Sequence, residues 1–284
     1  MRINYVNVNR GELIPSPMSV DLTEITVEHG FNLKEDRFEG TKMQSNIQKH
    51  RATVMYAQNS MTPVPDPLLE YYGETAELVH KTTNADIVFV NGHLSRSAAL
   101  GKIDISNKHS TLAHADYNNA ETNLWEMQKN FYREQLENKQ PIPKNQFWIN
   151  GSREDAIECK RMEAYNVWRN LSDDENVDHP LCFCHPLSMD FENDIIHYPY
   201  EYTLANGYKG KNLIGFLEGD QEKANKHKWY SYTKLDHDEC VIFKQYDSRG
   251  TSEKDYSVMH SATVDAVGKT PRQSIEVRVW CYYA

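Results

Sequence analysis

Several features that mark whole classes of protein are missing from this sequence. No apolar run approaches the roughly 20 residues that cross a bilayer as a helix. The opening Met1-Arg-Ile-Asn-Tyr-Val-Asn7 lacks the continuous apolar stretch of a secretory leader. The expectation is therefore a cytoplasmic chain with no membrane partner. No block of five or more basic residues occurs, and the formal net charge is −10. A phosphate-binding surface needs clustered Lys and Arg, so nucleic acid is not an expected partner. The five cysteines (Cys159, Cys182, Cys184, Cys240, Cys281) are too few and too scattered for a disulfide framework. Cys182-Phe-Cys184-His185 has the look of a metal cluster, but no second Cys/His pair follows at zinc-site distance, so it reads as part of a buried strand. Internal repeats and low-complexity tracts are absent as well.

What remains is an ordinary globular composition, 39% hydrophobic and 25% charged over 284 residues, enough for a sizeable core. No linker divides the chain, which points to one domain over residues 1–284. The first sixty residues are mixed and polar, with strand-like pieces at 18–22 and 53–56. A Pro-rich break at 62–67 precedes a helix with Leu68, Leu69, Tyr72, Ala76 and Val79 on one face. Residues 87–91 read as a buried strand. A second helix is expected over 121–137, with Leu124, Met127, Phe131 and Leu136 as its packing face. A short helix at 153–160 leads into a strand at 161–171. Further strands are expected at 195–204, 227–233, 239–247, 256–264 and 273–283. Helices early and strands late suit a mainly β fold, a barrel or double-sheet jelly roll with helices packed outside.

The chemistry begins at His114-Ala115-Asp116. On an extended segment, residues two apart share a face, so imidazole and carboxylate can reach one cation, as two thirds of the facial triad of non-haem iron oxygenases do. That pair alone carries little information, and neither does His260 on its strand-like segment. Twelve positions beyond His260 comes Arg272-Gln273-Ser274. A hairpin centred near Gly268 would set Arg272 opposite Val264, about 13 Å along from His260. A five-carbon 2-oxo diacid fits such a gap: one end chelates iron, and the far carboxylate takes the guanidinium of Arg272 and the hydroxyl of Ser274. His179, His185 and His197 with Asp178 or Asp190 match no familiar ligand pattern and read as surface or loop positions.

The C-terminal half resembles the AsaB-type hydroxylase/desaturase family, which includes gibberellin desaturases. The matching stretches are Asn166-Val-Trp-Arg169, His179-Pro-Leu181, His227-Lys-Trp-Tyr230, Asp238-Glu239, Lys244-Gln-Tyr-Asp-Ser248 and Pro271-Arg-Gln-Ser-Ile-Glu-Val-Arg278. The likeness runs from about Leu68 onward, with 1–60 a poorly matched N-terminal extension of the barrel. It implies a double-stranded β-helix, Fe(II), 2-oxoglutarate and O2. It also implies His114, Asp116 and His260 as metal ligands and Arg272 with Ser274 as the co-substrate anchor.

The implied activity is hydroxylation, desaturation or oxidative cyclisation of a small molecule in specialised metabolism. Two alternatives stand beside it: a jelly-roll metalloenzyme that does not use 2-oxoglutarate, and a non-catalytic jelly-roll binding protein. Candidate substrate contacts are Asn166 and Arg169 on one strand and Lys244 and Tyr246 on another. Strand alternation keeps Asn166 and Arg169 from both facing inward. An inward Arg169 would suit a carboxylate-bearing substrate, with a surface or structural salt bridge as the favoured alternative. Glu276 and Arg278 continue the parity of Arg272 and read as a buried structural pair, and Trp229 and Tyr230 read as core or pocket wall.

Overall fold

The computed structural model describes the chain except residues 58–63, 101–107, 118–123, 141–146, 176, 204–208, 233, 251–256, 266, 267 and 269, and except the side chains of 56 and 200–213. Strand β1 (Arg2–Asn9) pairs with β2 (Glu12–Ser19) through the turn Arg10-Gly11, where both φ angles are positive, 51° and 83°. That geometry joins two strands without splaying them. Pro15 and Pro17 lack amide hydrogens, which suits β2 to the outside of this ribbon.

Then follow β3 (Leu22–Glu24), β4 (Phe38–Lys42), α1 (Arg51–Tyr56), α2 (Asp66–Thr83), β5 (Ile87–Ser97), β6 (His114–Ala115), α3 (Leu124–Glu137), β7 (Phe147–Ile149), α4 (Arg153–Glu158) and β8 (Arg161–Asn170). The chain continues through β9 (Leu181–Cys184), β10 (Ile195–Thr203), β11 (Lys209–Leu217), α5 (Gln221–Ala224), β12 (Trp229–Ser231), β13 (Glu239–Asp247), β14 (His260–Ala262) and β15 (Gln273–Tyr283). Beside the two-stranded ribbon stand a seven-stranded sheet, β10-β11-β6-β14-β9-β12-β3, and a six-stranded sheet, β4-β13-β8-β15-β5-β7. Every strand pair is antiparallel except β12 with β3.

Alternation along β8 and β15 sorts residues to two environments. Tyr165, Val167, Ile275, Val277, Val279 and Cys281 face outward, against Leu68, Tyr71, Tyr72, Ala76 and Val79 of α2. That helix has Pro67 in its first turn and ends at Asn84 in the left-handed conformation, both favourable at those positions. On the inner face, Glu276 pairs across with Trp168 and Arg278 with Asn166. Farther along the same face, Trp280 and Tyr282 join Phe89 and Met162 under Trp125, Tyr132 and Ala156 of α3 and α4. Phe183 of β9 stacks on Phe38 at 5.1 Å and meets Phe243 at 5.0 Å, closing the two sheets over one another.

Most expected elements are present, but four readings change. Residues 53–56 form helix, not strand, because a 3-10 turn at Ile47–His50 runs directly into α1 and Val54 is buried in the α2 side of the core. A short apolar run does not distinguish a strand from a buried helical turn. The piece at 18–22 straddles the end of β2 and the start of β3. Strand β5 extends to Ser97, past the expected end at 91. The fourth concerns the segment after His260, which makes no hairpin: β14 lies in the seven-stranded sheet and β15 in the six-stranded one. The chain crosses between them where Thr270 bridges Val177 and accepts the amide of Asp178 at 2.8 Å. A Cβ at Gly268 would lie 2.1 Å from the carbonyl carbon of Val177, so only glycine passes there. The expected residues 62, 63, 121–123, 204, 233 and 256 lie outside the described residues, as do 266, 267 and 269 of that crossing.

On the far side of the seven-stranded sheet the N-terminal ribbon is pinned by a buried chain of hydrogen bonds. Trp229 Nε1 donates to the Tyr5 hydroxyl at 3.0 Å, Tyr5 donates to His227 Nδ1 at 2.8 Å, and His227 Nε2 donates to Asp194 at 2.9 Å. Tyr5 thus ties β1 to the seven-stranded sheet. Tyr5→Phe leaves two buried groups unpaired, and the expected loss is about 1–3 kcal/mol, read as a lower urea midpoint at unchanged slope.

Candidate active site

The two-residue strand β6 has little packing of its own. It is held because β11 pairs on one side and β14 on the other, which sets His114 directly across from His260. Their rings are 4.3 Å apart. His114, Asp116 and His260 each bring a ligand atom within 4.8 Å of the others, and among the described residues this is the one such cluster. His114 Nε2 lies 3.6 Å from Asp116 Oδ1.

The protonation pattern suits a cation. His114 Nδ1 donates to the Leu112 carbonyl at 2.7 Å and His260 Nδ1 to the Val258 carbonyl at 3.2 Å, which leaves both Nε2 lone pairs as donors. Burial, and then the facing His260, lower the His114 pKa to about 4; burial also lowers that of His260. Both imidazoles are therefore neutral at pH 7. Burial opposes ionisation of Asp116, yet Arg278 and the two imidazoles outweigh it and hold the carboxyl below its usual range. Two neutral nitrogens and one carboxylate form a donor set for a divalent iron-type ion.

Arg272 and Ser274 lie on the inner face of the opposite sheet, 2% and 1% exposed. Arg272 Nη1 donates to the His179 carbonyl at 2.5 Å, and its guanidinium lies 5.7 Å from the Trp168 ring. Among the described residues its Nε and the Ser274 hydroxyl have no hydrogen-bond partner. Burial, reinforced by Arg96, lowers the Arg272 pKa to about 9. A buried guanidinium beside an unpaired hydroxyl is an arrangement completed by an anion, and a carboxylate fits both groups. His109 Nδ1 also lacks a partner among the described residues, and burial, then the nearby Arg272 and His179, hold its imidazole well below the usual range.

The four candidate substrate contacts separate. Asn166 faces the cluster: its Nδ2 donates to Asp116 Oδ2 at 2.9 Å and to Glu276 Oε1 at 3.2 Å. Arg169 faces the opposite way, fully buried against α2, where it donates to Tyr71, to the Met43 carbonyl at 2.7 Å and to the His237 carbonyl. It is a structural residue, satisfied by carbonyls and not by a salt bridge. Lys244 is also on the outer face, paired with Glu163 at 2.7 Å in a network with Arg161 and Asp247. The Tyr246 hydroxyl accepts the amide of Trp125 at the start of α3.

The inner residue of that stretch is Gln245. A bulge between Lys244 and Tyr246 breaks the alternation of β13. Gln245 Oε1 then accepts the Asp116 amide at 2.9 Å, while its Nε2 donates to the carbonyls of Lys244 and Val258. Alternation from the inward Phe243 puts Gln245 on the same face, whereas the candidates from this stretch are its two neighbours. Arg96, whose charge bears on His114, His260 and Arg272, was hidden by the unexpected length of β5. Glu276 sits beside it, its carboxyl raised by burial and then by Asp116. Trp229 is core behind the seven-stranded sheet, while Tyr230 packs between the sheets. His179 and His185 bind the Thr263 carbonyl and Asp36.

Comparison with known proteins places this geometry. The family model described as oxidoreductase/YMDC permease-like domain matches residues 17–282. The hydroxylase/desaturase CTB9 of Cercospora beticola is 23% identical over 265 residues, 90% of this chain and 73% of that protein. The solved iron and alpha-ketoglutarate-dependent endoperoxidase NvfI superposes with a TM-score of 0.71 at 18% identity, covering 100% of this chain and 97% of that one. The same endoperoxidase in a different conformation gives 0.69 over the same shares. The overlap shows a shared jelly-roll fold.

Arg169→Leu is expected to lower the unfolding free energy by about 3 kcal/mol through the unpaired carbonyls it leaves. Denaturant unfolding checks this, and metal affinity per folded molecule should stay within twofold.

Proposed function

This chain belongs to the oxidoreductase/YMDC permease-like family, and from that membership we propose that it is a mononuclear non-haem iron oxygenase dependent on 2-oxoglutarate and O2. No helix among the described residues is long and apolar enough to cross a membrane, and the donor set suits the oxidoreductase half of the family's description. The observation that carries the reading is the pairing of two polar clusters on facing sheets. One is a neutral His pair with a carboxylate, and the other a buried guanidinium and hydroxyl, of which the Arg272 Nε and the Ser274 oxygen have no partner among the described residues.

In this reading His114, Asp116 and His260 hold Fe(II), with Nε2 of each imidazole as donor because Nδ1–H is committed to a backbone carbonyl. Arg272 and Ser274 take the distal carboxylate of 2-oxoglutarate. With both groups bound, the centre supplies oxidation of an unactivated C–H bond, the co-substrate leaving as succinate and CO2. Phe183 and Phe243 wall the His260 side, and Trp168 lies beside Arg272. These apolar faces keep bulk water from the reacting region and strengthen the charge pairing at Arg272. The substrate is a small molecule, and the outcome is hydroxylation, desaturation or ring closure within specialised metabolism. The curated relative's name, hydroxylase/desaturase, supports that range.

Anaerobic addition of Fe(II) and 2-oxoglutarate should give a weak visible charge-transfer band, followed in air by slow succinate release without substrate. His260→Ala should abolish both, and an unchanged band would overturn the metal assignment. Arg272→Ala should weaken 2-oxoglutarate binding about 100-fold, equivalent to about 3 kcal/mol for a charge-assisted pair. Unaltered affinity would remove the co-substrate assignment while leaving the metal site standing.

A further inference from the structure

The region around the three clustered side chains contains two primary amides whose geometry has a purpose beyond filling space. Asn166 Nδ2 has two hydrogens and two carboxylate acceptors, Asp116 Oδ2 at 2.9 Å and Glu276 Oε1 at 3.2 Å. The opposite rotamer would turn its carbonyl oxygen toward both carboxylates, so the amide has one tenable orientation. With Oδ2 taken, the remaining oxygen of Asp116, Oδ1, is the one that faces His114 Nε2 at 3.6 Å. Both amide hydrogens of Asn166 are committed, which leaves neither for a substrate.

Gln245 works from the other side. It is fully buried and is the extra residue of the β13 bulge. Its Oε1 accepts the backbone amide of Asp116 at 2.9 Å, and its Nε2 donates to the Val258 carbonyl at 3.2 Å. That same carbonyl accepts Nδ1 of His260 at 3.2 Å. One side chain thereby ties the backbone of Asp116, on the β6 side, to the carbonyl that orients His260.

We propose that Asn166 and Gln245 are positioning residues: together they fix Asp116 with a single oxygen directed at the cation, and Gln245 couples that carboxylate to His260 before any ion arrives. The inference rests on the iron-site reading above. Side chains that orient metal ligands contribute about 10- to 100-fold in metal affinity. Both amides have near-isosteric apolar replacements, Leu for Asn166 and Met for Gln245, which keep volume and remove the hydrogen bonds.

The test is anaerobic titration of the purified full chain with Co(II), following both the dissociation constant and the visible absorption of the bound ion. Asn166→Leu and Gln245→Met should each raise the dissociation constant about 10- to 100-fold. Asn166→Leu should also change the absorption envelope, because both oxygens of Asp116 become available to the ion. The double variant should fall short of the product of the two single effects, since both act on one carboxylate. Folding of the metal-free proteins is checked by thermal unfolding in chelator, and Asn166→Ala replaces the Leu variant if that one does not fold. Folded variants that bind Co(II) within threefold of the unaltered protein, with an unchanged spectrum, would overturn the proposal. Absence of Co(II) binding by the unaltered protein would instead sink the iron reading itself.

Discussion

The pairing of β6 with β14 is the constraint on which the rest of the site depends. Two residues of strand cannot hold a geometry alone, because so short a segment gains almost nothing against its own conformational entropy. Flanking strands on both sides supply that order, and they do so at the position where His114 meets His260. The partners are far apart in the chain, so the contact forms only with the tertiary pairing of β6 between β11 and β14. Folding and the assembly of the candidate centre are therefore one event.

The opposite sheet contributes differently. β15 presents aliphatic residues to α2 on one face and, on the other, Arg272, Ser274, Glu276 and Arg278 before Trp280 and Tyr282. Charged groups at that depth are expensive unless paired. Burial and then Asp116 raise the Glu276 carboxyl, an effect that Arg96 and Arg278 only partly offset, and it accepts a hydrogen bond from Asn166. Arg272 differs: it donates to the His179 carbonyl and lies beside the Trp168 ring, and its strongest charged influence is the like-charged Arg96. The Arg272 Nε and the Ser274 hydroxyl are thus left to be satisfied by the carboxylate proposed as co-substrate.

Much of this was legible in the sequence. The H-x-D pair, His260 and the R-x-S element could be read because extended strands place residues two apart on one face, and the structure brings the first three together. The hydroxylase/desaturase resemblance and the jelly-roll fold are borne out by the comparisons. The hairpin drawn between His260 and Arg272 was wrong for a definite reason: sequence distance fixes how far two residues can separate, but not which sheet each joins. Arg169 is structural, the reading favoured for it, but is held by carbonyls and a hydroxyl in place of a salt bridge. The candidates Lys244 and Tyr246 also serve packing, since a buried polar residue on a strand looks the same whether it faces a pocket or a helix. The ribbon β1–β2 lies in the mixed, polar first sixty residues, where no strand is expected before residue 18; Pro15 and Pro17 are compatible with its outer strand.

The irregularity in β13 shows what such a framework sacrifices. A continuous ladder from Glu239 to Asp247 would give β8 a complete set of backbone partners; the register instead slips at Gln245. Removing that one residue would straighten the strand and leave the sandwich better knit, yet the Asp116 amide and the Val258 carbonyl would lose the group that joins them. Selection for sheet regularity alone would erase the slip, so its presence marks a place where local order has been yielded to the geometry of the interior.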